Sequence, residues 1–267
     1  FQRDLLAGQQ PTIQLNVDAT QISQAFSGAG HIQQIIQNET TAFVQGYSGA
    51  AALPLEAVVR MAYNPNLEAS WFGSISEVIN QITMLSIILT GAALIREREH
   101  GTIEHLLVMP VTPLEIMLAK VWAMGLVVLI ACALSLRLVV QDWLGVPIQG
   151  AVSLFLAGTA LHLFATTSMG IFLGTVARSM PQLGLLIILV LIPLEILSGA
   201  VTPRESMPVV VQTIMSLAPT THFVQLAQGV LLRGAGIGII WPQLLALAAI
   251  GLVFFYAALR RLRTTLQ

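Results

Sequence analysis

From residue 74 onward the chain alternates between long apolar runs and short polar segments. A helix that crosses a bilayer needs about 20 mostly apolar residues. Five stretches meet that requirement: 74–95, 121–140, 151–176, 183–200 and 238–259. The segment 201–237 does not. It is only moderately apolar and is interrupted by Pro203, Pro208, Pro219, Gly229, Gly234 and Gly236. Backbone groups freed by proline and glycine must find partners inside protein, so short helices at the membrane surface, or a re-entrant pair, are predicted there. Residues 1–70 follow another pattern. Ile13, Leu15 and Val17 alternate with Gln14, Asn16 and Asp18, the period of a half-buried strand. Between 20 and 47, Ile22, Phe26, Ile32, Ile35, Ile36 and Phe43 recur at helical spacing, and 57–63 reads as a second strand. The chain therefore divides into part of a small α/β domain, 1–70, and a mostly α, polytopic membrane domain, 71–267.

Composition agrees with the bilayer. Of 267 residues 55% are hydrophobic and only 9% are charged, and mean hydropathy is +0.80. Soluble domains carry about 25% charged residues, so this chain lacks the ions to coat a water-facing surface. The single cysteine, Cys132, sits in an apolar run and offers neither a disulfide framework nor a cysteine metal site. His31, His100, His105 and His222 lie in separate segments without metal-ligand spacing. The net charge of −1 says little about partners; the placement of the charges says more.

Lys and Arg near span ends set orientation, the cytoplasmic side being the richer. Arg96, Arg98 and Lys120 lie in 96–120, Arg178 in 177–182, and Arg260, Arg261 and Arg263 in the tail. Five spans put all three segments on one side. The connections 141–150 and 201–237, and residues 1–70, fall on the other, making the N-terminal domain periplasmic and the C-terminus cytoplasmic. About 70 residues is thin for an independent core, and Phe1 to Asp4 lack the basic lead-in of a signal peptide. Further strands and a first span are therefore expected upstream, giving six spans in the full protein.

The most charged stretch runs from Arg96 through Glu97, Arg98, Glu99, Gly101, Thr102, Glu104 and Pro110 to Glu115 and Lys120. Gly101-Thr102 can end one helix and cap the next, after which Ile103, Leu106 and Leu107 line one face of a short amphipathic helix stopped by Pro110 and Pro113. A charged elbow of this kind suits docking. By residue chemistry alone, a solvated loop with snorkelling charges fits as well.

This pattern, Arg96-Glu97-x-Glu99-x-Gly101-Thr102-x-Glu104-x-Leu106-Leu107-x-x-Pro110, resembles the cytoplasmic signature of the ABC-2 type permeases of ABC exporters. Ser198-Gly199 and Pro203 to Pro208 resemble the external end of that family's fifth helix. Pro219 to Phe223 and Leu232 to Gly234 resemble its external gating helices, and Phe1 to Thr20 the second half of a large external domain. The resemblance implies a bacterial inner-membrane subunit that pairs with a second copy or a paralogue. It implies docking of a cytoplasmic ATPase through the elbow 96–110, with Glu97, Glu99, Gly101, Thr102, Ile103, Glu104, Leu106 and Leu107 as coupling residues. It further implies an external gate in 201–237, at Pro203, Pro208, Pro219 and Gly234, and contact with a periplasmic adaptor. No cofactor is expected on this chain and no nucleic acid as partner; ATP belongs to the partner subunit.

No G-x-x-x-x-G-K-[ST], H-E-x-x-H or G-x-S-x-G occurs in the sequence. An intramembrane protease would have to use His162 with Thr166, Thr167 and Ser168. A histidine bonded to a neighbouring helix is the simpler reading. A secondary transporter or channel without an ATPase is the main alternative; it calls for ionisable groups near the midplane or paired broken helices. Two ionisable residues do sit inside spans. Arg137 lies 16 residues past Val121 and Glu195 13 past Gln182, about 24 and 20 Å along their helices at 1.5 Å per residue. At that similar depth they either pair or snorkel separately.

Overall fold

The computed structural model describes residues 13–18, 28, 31–39, 42, 57–62, 69–100, 111–202 and 204–266. Contacts divide the chain into two units, Phe1–Phe72 and Gly73–Gln267.

In the first unit, strand β1 (Ile13–Asp18) pairs in parallel with β2 (Ala57–Ala62), in a register running from Ile13 opposite Ala57 to Asp18 opposite Ala62. A parallel pair needs a crossover between its strands, and 31–39 in that connection is helical. Ile32 and Ile35 of this helix are exposed.

The second unit is a bundle of apolar helices. Helix α1 spans Ala69–Glu99. Helix α2 spans Pro113–Leu134 and continues through widened, π-helical turns over Ser135–Trp143. Helices α3 (Val152–Val176) and α4 (Met180–Ile196) follow. A single 3-10 turn at Arg204–Ser206 leads to the short helix α5 (Val209–Met215) and to α6 (Pro219–Leu231), and α7 (Ile237–Leu266) ends the fold. Among the described residues, four helices are long and apolar enough to cross a membrane: Gly73–Glu99, Pro113–Trp143, Val152–Val176 and Ile237–Thr264. The shorter α4 is the fifth apolar helix. Leu126, Val127 and Ile130 on α2, Leu185 and Leu189 on α4, and Leu252 and Val253 on α7 stand exposed. Water would not tolerate apolar faces of this size, whereas lipid solvates them. The protein is thus a mostly α, polytopic membrane protein.

Two boundaries differ from the sequence reading. The short helix expected before Pro110 lies outside the described residues, and Pro113 starts α2 ahead of the expected 121. It occupies the first turn, where a missing N–H costs nothing. Thr112 before it forms a capping box with Glu115: the Glu115 N–H donates to Thr112 Oγ1 at 3.3 Å, and the Thr112 N–H donates to Glu115 Oε2 at 2.6 Å. Helix α4 covers Met180–Ile196 rather than 183–200. Pro181 favours an early start, and Gly199, at φ +99°, takes a conformation that L side chains avoid and turns the chain away.

Helix α3 lies at the centre, with fifteen buried residues. Its contact with α1 is made by glycines: a methyl added at Gly170 would lie 2.1 Å from Thr90 Oγ1 and 2.6 Å from the Ile87 carbonyl, and one at Gly174 3.1 Å from the Gly91 carbonyl. Small residues let two backbones approach this closely. Leu94, Met117, Val121, Ile171, Leu259 and Leu262 form one buried cluster, which joins α1, α2, α3 and α7 at a single end of the bundle.

Candidate functional site

At that end the last turn of α1 carries Arg96, Glu97, Arg98 and Glu99, so the charged elbow begins as helix. Glu97 Oε1 is bonded to Lys120 Nζ on α2. Arg98 Nη1 donates to the carbonyl of Ala177, the C-cap of α3, at 2.7 Å. The Met180 N–H, in the first turn of α4, donates to Glu99 Oε1 at 3.1 Å. The remaining coupling residues, Gly101, Thr102, Ile103, Glu104, Leu106 and Leu107, lie outside the described residues.

The intramembrane charges do not meet. Arg137 Nη1 donates to Gln141 Oε1 at 3.2 Å, and its Nε lies 3.5 Å from Asp142 Oδ2 in the same π-helical stretch. No bond between Arg137 and Glu195 is formed among the described residues. Proximity along one helix supplied a partner that matching depth on two helices did not.

In 201–237 the chain forms a hairpin of two helices. Pro208 is the N-cap of α5, and Pro219 opens α6; Pro203 lies outside the described residues. Gly234, at φ +67°, takes a conformation that L side chains rarely adopt, so the turn after α6 favours glycine for its backbone rather than for space: an added methyl would meet the Gln149 carbonyl at an ordinary 3.4 Å. The end of α6 is tied to the start of α3, the Gln149 N–H donating to the Leu231 carbonyl at 2.9 Å. From there α6 runs back along α3. The ring of Phe223 stacks on Phe155, with centroids 5.9 Å apart, and on His162, at 4.1 Å with 7° between the planes. His162 lies ten residues past Val152, about 15 Å along α3 at 1.5 Å per residue. The segment thus holds two short helices, of which α6 packs along α3.

His162 is fully buried, and its Nε2 lies 2.9 Å from Thr83 Oγ1 on α1. The Thr83 hydroxyl hydrogen goes to the Ile79 carbonyl, so its oxygen accepts and Nε2 carries the proton. Ser86 Oγ, one turn further along α1, lies 2.7 Å from Thr166 Oγ1. His162 is thus bonded to a neighbouring helix. The spacing of Thr83, Ser86 and Thr90, matched by Thr159, His162 and Thr166, was visible in the sequence as two polar stripes. That they face each other was not.

A family model described as ABC-2 family transporter protein matches residues 1–260. The chain is 63% identical over 266 residues to an inner membrane transport permease, YhhJ, of Escherichia coli (strain K12), covering 100% of this chain and 71% of that protein. It is 29% identical over 252 residues to a protein of the same organism named a probable multidrug ABC transporter permease, YbhR, covering 94% and 67%. A similarly named protein, YbhS, is 27% identical over 215 residues, covering 73% and 56%.

Proposed function

Because this chain belongs to the ABC-2 family of transporter proteins, we propose that it is the membrane-spanning half of an ATP-driven exporter, with ATP bound and hydrolysed by a separate cytoplasmic ATPase. It is a multi-pass transport subunit of the inner membrane. The ATPase docks on the elbow 96–110, where Ile103, Leu106 and Leu107 supply apolar anchors and Gly101, Thr102 and Glu104 shape and flank them. A second copy or a paralogue completes the permease. Residues 1–70 form part of a periplasmic domain suited to an adaptor, and the C-terminus is cytoplasmic. The hairpin 201–237 acts as the external gate, with substrate moving outward, as the multidrug names of the relatives suggest.

One observation carries this reading: the elbow joins α1 to α2 at the end of the bundle where positive charge gathers. Arg96 and Arg98 in α1, Lys120 in α2 and Arg260, Arg261 and Arg263 in α7 lie toward the ends of helices that share one buried cluster there, and Arg178 lies between α3 and α4; Lys and Arg favour the cytoplasmic side. The test is co-purification of the ATPase with Leu106→Asp, since a carboxylate placed in an apolar pocket is expected to weaken docking more than about tenfold. A folded Leu106→Asp protein that retains full ATPase binding would remove the elbow from the mechanism.

A further inference from the structure

We propose that Glu97, Arg98 and Glu99 are positioning residues that convert displacement of the docked elbow into joint movement of α2, α3 and α4. The proposal rests on the docking reading above, and gives two of the coupling acids a task inside the permease rather than against the ATPase. Three consecutive residues of a helix point about 100° apart, so 97, 98 and 99 sweep more than half of the circumference of α1. Each meets a different helix: Lys120 (inside α2, seven residues past Pro113), the Ala177 carbonyl closing α3, and the Met180 N–H opening α4.

The charge at each position suits its target. The last carbonyls of a helix are unsatisfied and carry partial negative charge, and the first N–H groups partial positive charge. Arg98 stands at the C-terminus of α3 and Glu99 at the N-terminus of α4. Ser179, the N-cap of α4, makes no side-chain capping bond, so Glu99 supplies the acceptor that α4 lacks locally. Lys120 is 12% exposed and Glu97 32%, which makes their pair far less hydrated than a surface ion pair. Exposed pairs transmit little because water and salt replace them; this part-buried one is screened less. The last turn of α1 leads in sequence directly into the rest of the elbow, so a push on the elbow reaches α2, α3 and α4 through these three residues.

The experiment uses the permease co-purified with its ATPase and reconstituted in liposomes, with Leu217→Cys on the external hairpin as reporter. Leu217 is exposed and Cys132 is buried, so a membrane-impermeant maleimide reads position 217. Its labelling rate is measured without nucleotide and with Mg-ADP plus vanadate. In the otherwise unchanged protein the rate is expected to depend on nucleotide. In Lys120→Glu, which lies outside the elbow, the ATPase should stay bound and hydrolyse ATP while that dependence is lost, and in Glu97→Lys the dependence should be lost as well. Combining the two substitutions restores the pair with reversed sign and should restore the dependence, an outcome that general misfolding does not give. Arg98→Gln and Glu99→Gln, which remove charge without reversing it, should reduce the dependence in part. Equal nucleotide dependence in the single variants and the unchanged protein would overturn the hub and leave docking intact. So would loss that the double exchange fails to restore. Failure of the unchanged permease to retain the ATPase would sink the docking reading, and the hub with it.

Discussion

Helices α1 and α3 approach closely at Gly170, and Gly170→Ala tests whether that approach governs stability. The added methyl would sit 2.1 Å from Thr90 Oγ1, 2.6 Å from the Ile87 carbonyl and 3.0 Å from Ile87 Cα. Two of these atoms are backbone, so rotamer change at Thr90 cannot relieve the clash and the helices must separate. Overpacking of this kind costs about 1–3 kcal/mol. Separation also stretches the Thr83–His162 and Ser86–Thr166 contacts, at 2.9 and 2.7 Å, each worth about 0.6 kcal/mol between membrane helices. Alanine's better helix propensity returns up to about 1 kcal/mol. The net expectation is a loss of roughly 1–3 kcal/mol. Two glycines calibrate the scale. A methyl at Gly91 meets the Gly170 carbonyl at 3.1 Å and Leu183 Cδ1 at 3.2 Å, and one at Gly125 meets only Leu163 Cβ at 4.0 Å. Thermal or denaturant unfolding in mixed micelles should therefore order the alanine variants Gly170 < Gly91 < Gly125 in stability, with Gly125→Ala neutral or slightly stabilising. Thr90→Ala should rescue Gly170→Ala only in part. Equal stability of Gly170→Ala and Gly125→Ala, within about 0.5 kcal/mol, would refute the packing reasoning.

Two further outcomes can be read in the same assay. A cycle of Thr83→Val and His162→Phe, which keeps an aromatic ring against Phe223, should show a coupling of about 0.6 kcal/mol and no more than about 1.7; strict additivity would mean that the 2.9 Å contact contributes nothing. Arg137→Leu and Glu195→Leu, by contrast, should add within about 0.5 kcal/mol, because Arg137 is engaged by Gln141 and Asp142; partial recovery in the double variant would show that the two charges meet after all.

Much of the membrane domain was legible because a bilayer imposes a length on anything that crosses it. The apolar runs beginning at 74, 121, 151 and 238 fall inside helices α1, α2, α3 and α7. Where hydropathy alone set a boundary, at 121, it missed the first turns of α2, although Thr112-x-x-Glu115 is a capping signature that marks an earlier start. For Glu97 and Glu99, residue chemistry alone left a docking elbow and a solvated loop equally open. Their partners lie 23 and 81 residues away in sequence, and no local pattern encodes which helix ends will be neighbours. For Arg137 equal depth left pairing with Glu195 and separate snorkelling open, while Gln141 and Asp142, four and five residues on, were in plain view.

The bundle is bonded differently at different depths, and this bears on where it can move. In the interior most hydroxyls are taken up by their own helix: Thr90 bonds the Ser86 carbonyl, Thr159 that of Phe155, Thr167 that of Leu163 and Ser168 that of Phe164. Such bonds satisfy polar groups without tying one helix to another. Helix α6 is held against α3 largely by ring stacking at Phe223 and by close packing of Leu226 on Gly158. Thr220 Oγ1, Thr221 Oγ1 and Gln228 Nε2, all buried on α6, have no hydrogen-bond partner among the described residues. A buried polar group without a partner costs about 1–3 kcal/mol, so a shift of α6 that gives these groups partners is opposed by less than the packing alone would suggest. The last turn of α1 presents another case. There, Glu97, Arg98 and Glu99 each bond a different helix, while Arg98 Nε and Nη2, like the groups on α6, have no hydrogen-bond partner among the described residues. The two regions thus differ in how they are joined: side-chain bonds cross between helices at the end of α1, whereas α6 is held against α3 by packing.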